Sequence, residues 1–348
     1  MKRFFALLLC LTCLLCACKG KGEAAEQGGG EKEPTRIDVL RIVFVPSHDV
    51  QNTLADAQPL CALLKEALAP LGYEVGDVAL SVGESFEDVG RILASNEADV
   101  AIGMPGGTYV LFDDACDVIL TSTRNGLSKD YDDARQWNDQ MPTVPIDIQT
   151  VFYRSLIIAG PSEKGRELAD KVNSGEELTW EDLDSAVWSI MDVSSSAGYI
   201  YPMLWLEQHW NKDVGDLKHV MHSASYDEAF SRLASGEVDV LATYADARRE
   251  FIERWNGEFG REESVWGETD VIGVTPGIYN DTVTVSKSSP IMDEAFKSAL
   301  QDAFIQIAEN TEGGKSVLEI YDHKGYQKAV SADYDNERAA QELIKKLS

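Results

Sequence analysis

Positive charge is what this chain of 348 residues has least of: 31 Lys and Arg stand against 59 Asp and Glu, a formal net charge of −28. So acidic a balance offers no basic surface for nucleic acid or an anionic membrane, and it favours solubility. Cysteine is scarce once the first 18 residues are passed. Of six cysteines, Cys10, Cys13, Cys16 and Cys18 crowd the N-terminus, leaving Cys61 and Cys116 for everything after it. Two cysteines exclude a disulfide-dense scaffold and fit either one bridge or two buried thiols. His-Glu-x-x-His, a Walker loop, Gly-x-Ser-x-Gly and Gly-x-Gly-x-x-Gly are all missing, so no motif points to an enzyme of those classes. No cofactor or metal is expected. The five histidines are scattered, and no apolar run after residue 18 is long enough to cross a bilayer.

What is present begins with residues 1–18, MKRFFALLLCLTCLLCAC. Lys2 and Arg3 precede the apolar run Phe4–Leu15, which is too short for a membrane span and reads as a secretory signal. Leu15-Cys16-Ala17-Cys18 resembles the bacterial lipobox, where the signal is cut before a cysteine that becomes acylated. The resemblance implies lipidation at Cys18. Leu9, Thr12 and Leu15 take the small-residue position before the other three cysteines. Residues 19–36, KGKGEAAEQGGGEKEPTR, lack large apolar side chains and form a flexible tether.

From Ile37 onward strand and helix patterns alternate. Val39–Val45 reads as a buried strand, and Pro59–Leu71 as a helix with Leu60, Leu63, Leu64, Ala67, Leu68 and Leu71 at helical spacing. Tyr73–Val82, Phe86–Ala94 and Asp99–Ile102 continue as strand, helix and strand. The pattern returns with Ala186–Met191, Gly198–Trp210, His219–His222, Tyr226–Ala234 and Val238–Leu241. Strands separated by helices predict an α/β architecture with parallel sheets. Two stretches repeat one joint: Phe86 and Tyr226 each stand thirteen residues before an Asp-Val pair, Asp99-Val100 and Asp239-Val240. Two similar lobes would show this. The tryptophans of the second half read as packing residues, and Lys129–Ala134 as a solvated acidic loop lacking the glycine and final glutamate of an EF-hand.

Ser194, Ser195 and Ser196 fall between a predicted strand and a helix starting near Gly198. Hydroxyls there, with the unpaired first-turn N–H groups, suit an anion such as a phosphonate, phosphate or carboxylate; equally, a serine there caps the helix. Asp192-Val-Ser-Ser-Ser-Ala-Gly-Tyr-Ile-Tyr-Pro202 resembles the Asp-Pro-x-Ser-Thr-Ser-Gly-Tyr-x-x-Pro motif of the substrate-binding proteins of phosphate, phosphite and phosphonate ABC transporters. Ala98–Ile102 with Pro105 and Tyr109, Gly236–Asp239, and Thr275–Asp281 match further pieces in order, so the likeness runs from Ile37 to about Gly325. It implies a two-lobed type II periplasmic-binding fold with lobe one at 37–151 and 281–348, lobe two at 152–280, and hinge crossings near Val151 and Asn280.

By that resemblance the chain is a lipid-anchored, extracytoplasmic solute-binding protein. It delivers a small phosphonate-like or zwitterionic ligand to an ABC permease, and its membrane contact is the acylated Cys18. The alternatives are a ligand-binding sensor or adhesin, or an enzyme on the same fold. Carried over residue by residue, the ligand site comprises Phe86, Tyr109, Ser195, Ser196, Tyr226, Asp246 and Asp281. Ala197 replaces the family's third hydroxyl, Phe86 a tyrosine and Tyr226 a histidine. Asp246 and Asp281 could pair with a ligand ammonium. Alternatively, Asp246 caps the helix of Ala247–Trp255 and Asp281 serves a turn.

Overall fold

Leu40, Ile42, Val43 and Phe44 close the first strand fully buried, because parallel neighbours pair with it on both sides. The computed structural model describes residues 33–46, 50–193 and 195–347. The signal segment, Cys18, most of the tether and Ser194 lie outside the described residues. Leu60, Leu64, Ala67 and Leu68 bury one face of the helix Leu60–Leu68, which tightens into a 3₁₀ turn and is closed by Gly72 at φ +90°. That backbone conformation favours glycine.

The strands in chain order are β1 (Thr35–Phe44), β2 (Tyr73–Val82), β3 (Val100–Met104), β4 (Cys116–Leu127), β5 (Pro145–Thr150), β6 (Phe152–Tyr153) and β7 (Ser155–Ala159). Then follow β8 (Trp188–Ile190), β9 (Val220–His222), β10 (Val240–Tyr244), β11 (Asp270–Val274), β12 (Ile278–Tyr279), β13 (Thr282–Ser286) and β14 (Gly325–Lys328). One sheet has the order β14-β4-β13-β3-β1-β2, with β5 on β4; a second runs β11-β7-β10-β8-β9; β12 and β6 form a ribbon of two. The architecture is α/β, in two sheet units.

The sheets are mixed rather than parallel. β13 is antiparallel to both β3 and β4, and β7 is antiparallel to β10 and β11. Sequence periodicity found the parallel cores β1-β2-β3 and β8-β9-β10 but not these returning strands. Around the first sheet, Ile42, Phe44, Leu64, Phe296 and Phe304 share one apolar core. Trp188, Met203, Leu206 and Val240 centre a core of the second.

The repeated Asp-Val joint has a shared physical role. Asp99 accepts the N–H of Arg41 on β1 at 2.9 Å, and Asp239 accepts the N–H of Val187, just ahead of β8, at 2.8 Å. In each unit an aspartate ahead of one strand satisfies a backbone donor of its neighbour. The preceding helices are capped alike, by Ser85 on Asp88 and Ser225 on Glu228.

Chain crossings between the sheet units are stapled by Asn280. Its side-chain amide donates to the carbonyls of Ser122 at 3.0 Å and Thr150 at 3.2 Å, and its N–H to Val151 at 2.9 Å. The C-terminal helix Asp335–Leu347 also bridges the two. Arg338 pairs with Asp113 at 2.7 Å, whereas Ala340 packs with Ala197, Ile200 and Tyr201, and Leu343 joins the core of the second sheet. The last helix of the tail, expected wholly with lobe one, therefore packs against both units. Cys61 and Cys116 are free thiols. Burial pushes Cys116 up to about 12.

Candidate functional site

A cavity of about 510 Å³ opens where the β4–β5 extension and the chain crossing meet the second sheet unit. Its walls bring together residues far apart in sequence: Arg124 on β4 and Lys129 just after it, Phe152, Tyr153 and Arg154 on the crossing, Ser195 and Ser196, and Tyr226, Tyr244 and Arg249.

Its serine wall forms a helix start of an unusual kind. Ser195 is extended (φ −77°, ψ 113°), and its Oγ accepts the N–H of Gly198 at 3.1 Å. The chain then makes a π-turn, Ser196–Ile200, before the α-helix Tyr201–Trp210. Gly198 is required here because a Cβ would lie 2.2 Å from Met191 Cγ. Ser155 Oγ donates to the Ala197 carbonyl at 2.6 Å and pins the turn from below. Ala197 lies in the apolar cluster that also buries Ala340, which accounts for the missing third hydroxyl. Ser195 is thus a cap and a wall residue at once. Tyr226 is half-buried with its hydroxyl beside Ser195 and Thr243, and burial pushes its phenol above the usual range. Its ring meets Tyr244 edge-on at 5.0 Å. The Tyr244 hydroxyl donates to Glu250 at 2.6 Å.

The cations of the wall divide into two kinds. Arg154 is spent on Asp130 at 2.5 Å and Asp132 at 2.7 Å, and Lys129 on Asp139 and the Met141 carbonyl. The acidic run read as a solvated loop thus holds Arg154 in place. Arg124 and Arg249, by contrast, form no ion pair among the described residues. Arg124 instead lies over the Tyr153 ring, 5.5 Å from its centroid. Two arginines with free charge are a stronger anion signal than hydroxyls and a helix end, since a charged hydrogen bond is worth about 1.5–3 kcal/mol.

The structure does not bring all seven predicted site residues to this cavity. Ser195, Ser196 and Tyr226 line it. Phe86 and Asp281 line a separate pocket of about 400 Å³ with Val45, Pro105 and Tyr321. There Asp281 Oδ2 sits 3.0 Å from His323 Nε2. Tyr109 is buried at 1% exposure, stacks edge-on against Tyr334, and donates to Ser331 at 3.2 Å. Asp246 is 2% exposed and lines neither pocket. Its Oδ1 accepts from Arg248 Nε at 2.9 Å, and its Oδ2 from Arg248 Nη2 and Thr143 Oγ1, both at 2.8 Å. It also caps the turn Ala247–Phe251 through the Arg248 N–H. Burial works to raise its carboxyl, but the Arg248 charge and these hydrogen bonds outweigh that and hold it below the usual range. The two carboxylates assigned to an ammonium do not converge.

Sequence reasoning missed Arg124, Arg249, Tyr153 and Tyr244. Arg248-Arg249 was a visible basic pair in an acidic chain, but only geometry shows that one member is buried on Asp246 while the other faces the cavity. Arg124 lies near the end of β4, a strand the periodicity did not reveal.

Two α/β sheet units joined by paired crossings, with an anion-suited cavity beside the join, define the class of two-lobed solute-binding proteins. The sequence model of a family described as "ABC transporter, phosphonate, periplasmic substrate-binding protein" matches residues 42–334, and the chain belongs to that family. The family is one of transporter components rather than enzymes. No curated protein matches the chain. Among solved structures it is similar to Mh-p37 of Mycoplasma hyorhinis, described as "a putative thiamine pyrophosphate transporter", at 12% identity and TM-score 0.57, covering 85% of this chain and 95% of that one. A Xanthomonas citri protein bound to ATP gives 12% identity, TM-score 0.52, and 89% and 98% coverage. PhnD1 of Prochlorococcus marinus, in complex with methylphosphonate, gives 16%, 0.46, 89% and 99%. At these identities the likenesses to Mh-p37 and the Xanthomonas citri protein show the fold. Among the described residues no helix is long and apolar enough to cross a membrane.

Proposed function

We propose that this chain is the lipid-anchored receptor of a phosphonate-type importer, tethered through acylated Cys18, and that Arg124, Arg249, Ser195, Ser196 and Tyr226 hold its ligand's anionic group. The observation that carries the reading is the pair of arginines without ion-pair partners on a cavity wall, in a chain of net charge −28. Arg249 is half-buried and Arg124 exposed at the cavity's edge, and guanidinium groups that share a cavity wall without a carboxylate partner suit an anion. In this reading Phe86 and Asp281, which line a separate pocket, would form the lobe-one wall, and closure about the crossings at Val151 and Asn280 would carry it toward the ligand and present a docking surface to the permease. Tyr109 and Asp246 are assigned to the scaffold. We assign the site a binding role, in keeping with a family of transporter components.

Solution scattering tests the closing step. A ligand shifts an open–closed equilibrium only by its differential affinity for the two forms. The radius of gyration should fall on saturation with methylphosphonate, and Ser195→Ala with Arg124→Ala should abolish the change. A radius unmoved at saturation contradicts a closing cleft.

A further inference from the structure

The wall chemistry says more about the ligand than its charge. A cavity of about 510 Å³ falls among pockets that enclose drug-sized molecules, roughly 300–1,000 Å³, and a phosphonate carrying one methyl group would leave most of it to water. The surface beyond the serines is aromatic. Phe152, Tyr153, Tyr226 and Tyr244 all contribute to it. Guanidinium groups lie over two of these rings, with Arg124 5.5 Å from the Tyr153 centroid and Arg154 5.3 Å from that of Phe152. Aromatic rings with guanidinium groups over them offer broad faces, which match a planar group and gain little from a short alkyl chain. Carboxylates that could pair with an ammonium are scarce on the same wall. Asp130 is the one carboxylate there, and Arg154 engages it at 2.5 Å.

Resting on the solute-binding reading above, we infer that the cavity takes an anion bearing a flat ring, a phosphorylated or phosphonylated aromatic, in preference to a small aliphatic or amine-bearing phosphonate. The anionic end lies on Arg124, Arg249 and the serine turn. The ring lies along Phe152 and Tyr244. Such a ligand joins the cavity's two kinds of wall, whereas an aminoalkyl phosphonate would bring an ammonium toward two unpaired arginines.

Calorimetric titration of the wild-type protein with phenylphosphonate, methylphosphonate and 2-aminoethylphosphonate tests this directly. Phenylphosphonate should bind about ten-fold tighter than methylphosphonate, the advantage expected of one well-placed ring, and 2-aminoethylphosphonate should bind weakest. Phe152→Leu and Tyr244→Leu, which keep apolar bulk but remove the ring, should each shrink that ratio to about three-fold or less while moving methylphosphonate affinity little. Equal or tighter binding of methylphosphonate overturns the ring preference and leaves the solute-binding reading standing. A phenyl preference untouched by both substitutions overturns the placement of the ring. Failure of all three ligands to bind removes both proposals together.

Discussion

Replacing Asp246 with alanine separates a scaffold role from a ligand role. The Arg248 guanidinium is 0% exposed, and so is the Asp246 carboxylate that answers it. Removing the carboxylate strips Arg248 of its 2.9 and 2.8 Å partners and leaves the Thr269 carbonyl, at 3.5 Å, as its remaining hydrogen bond. Thr143 loses its acceptor, and the turn Ala247–Phe251 loses its cap. Stranding one member of a buried ion pair destabilises by about 3–5 kcal/mol, with the lost cap contributing to that total. Replacing both members with apolar residues of similar size, Asp246→Leu with Arg248→Met, should recover much of the loss, because the pair's desolvation largely offsets its attraction. Urea unfolding measures these changes, and calorimetry on the folded fraction measures ligand affinity. We expect Asp246→Ala to shift the unfolding midpoint sharply downward with affinity nearly intact. An Asp246→Ala protein of wild-type stability that no longer binds ligand would refute the scaffold assignment.

The remaining predictions are independent of that pair. Burial raises the Glu337 carboxyl above its ordinary 4.5, only partly relieved by the Tyr201 hydroxyl that donates to it at 2.7 Å. Its folded form holds a proton to higher pH than its unfolded form, so its contribution is fully present below about pH 4.5 and is lost as pH rises through the raised value. Glu337→Gln should flatten the stability profile between acid and neutral pH and raise the neutral-pH unfolding midpoint; superimposable profiles would contradict this. Arg338→Ala, which removes the 2.7 Å link to Asp113, should speed amide exchange through Asp335–Leu347 by up to about ten-fold, leaving the Tyr201–Trp210 helix unchanged. Acyl labelling of cells producing the full chain should disappear in Cys18→Ala, and labelling that persists would remove the anchor assignment.

Fold was legible wherever one local signal decided it. Tyr73–Val82 and Phe86–Ala94 appear with the bounds their periodicity gave, because each buries one face and is punctuated by glycine or a capping serine. The Asp99 and Asp239 joints could be read as a repeat because each aspartate must sit immediately before a buried strand. β4 and β13 were not legible. β4, Cys116–Leu127, is rich in threonine, serine and other polar residues, and its hydroxyl-bearing positions Thr121, Ser122 and Thr123 are buried by antiparallel partners as distant in sequence as Gly325–Lys328. Ser195 and Tyr226 could be placed on one wall through the family resemblance, and both line the cavity. Asp246 could not, since a cap and a ligand carboxylate have the same sequence appearance, and only the direction of Arg248 separates them. Arg124 and Arg249 meet across a gap of more than a hundred residues. Nothing local marks them as partners.

One measurement bears on the central claim that unpaired arginines hold an anion between the sheet units. Methylphosphonate would be titrated calorimetrically into the wild-type protein and into the double variant Arg124→Ala with Arg249→Ala. The account predicts one site per chain, weakened at least about a hundred-fold in the double variant, the loss expected for two charge-assisted hydrogen bonds of about 1.5–3 kcal/mol each. Wild-type affinity in the double variant would contradict it.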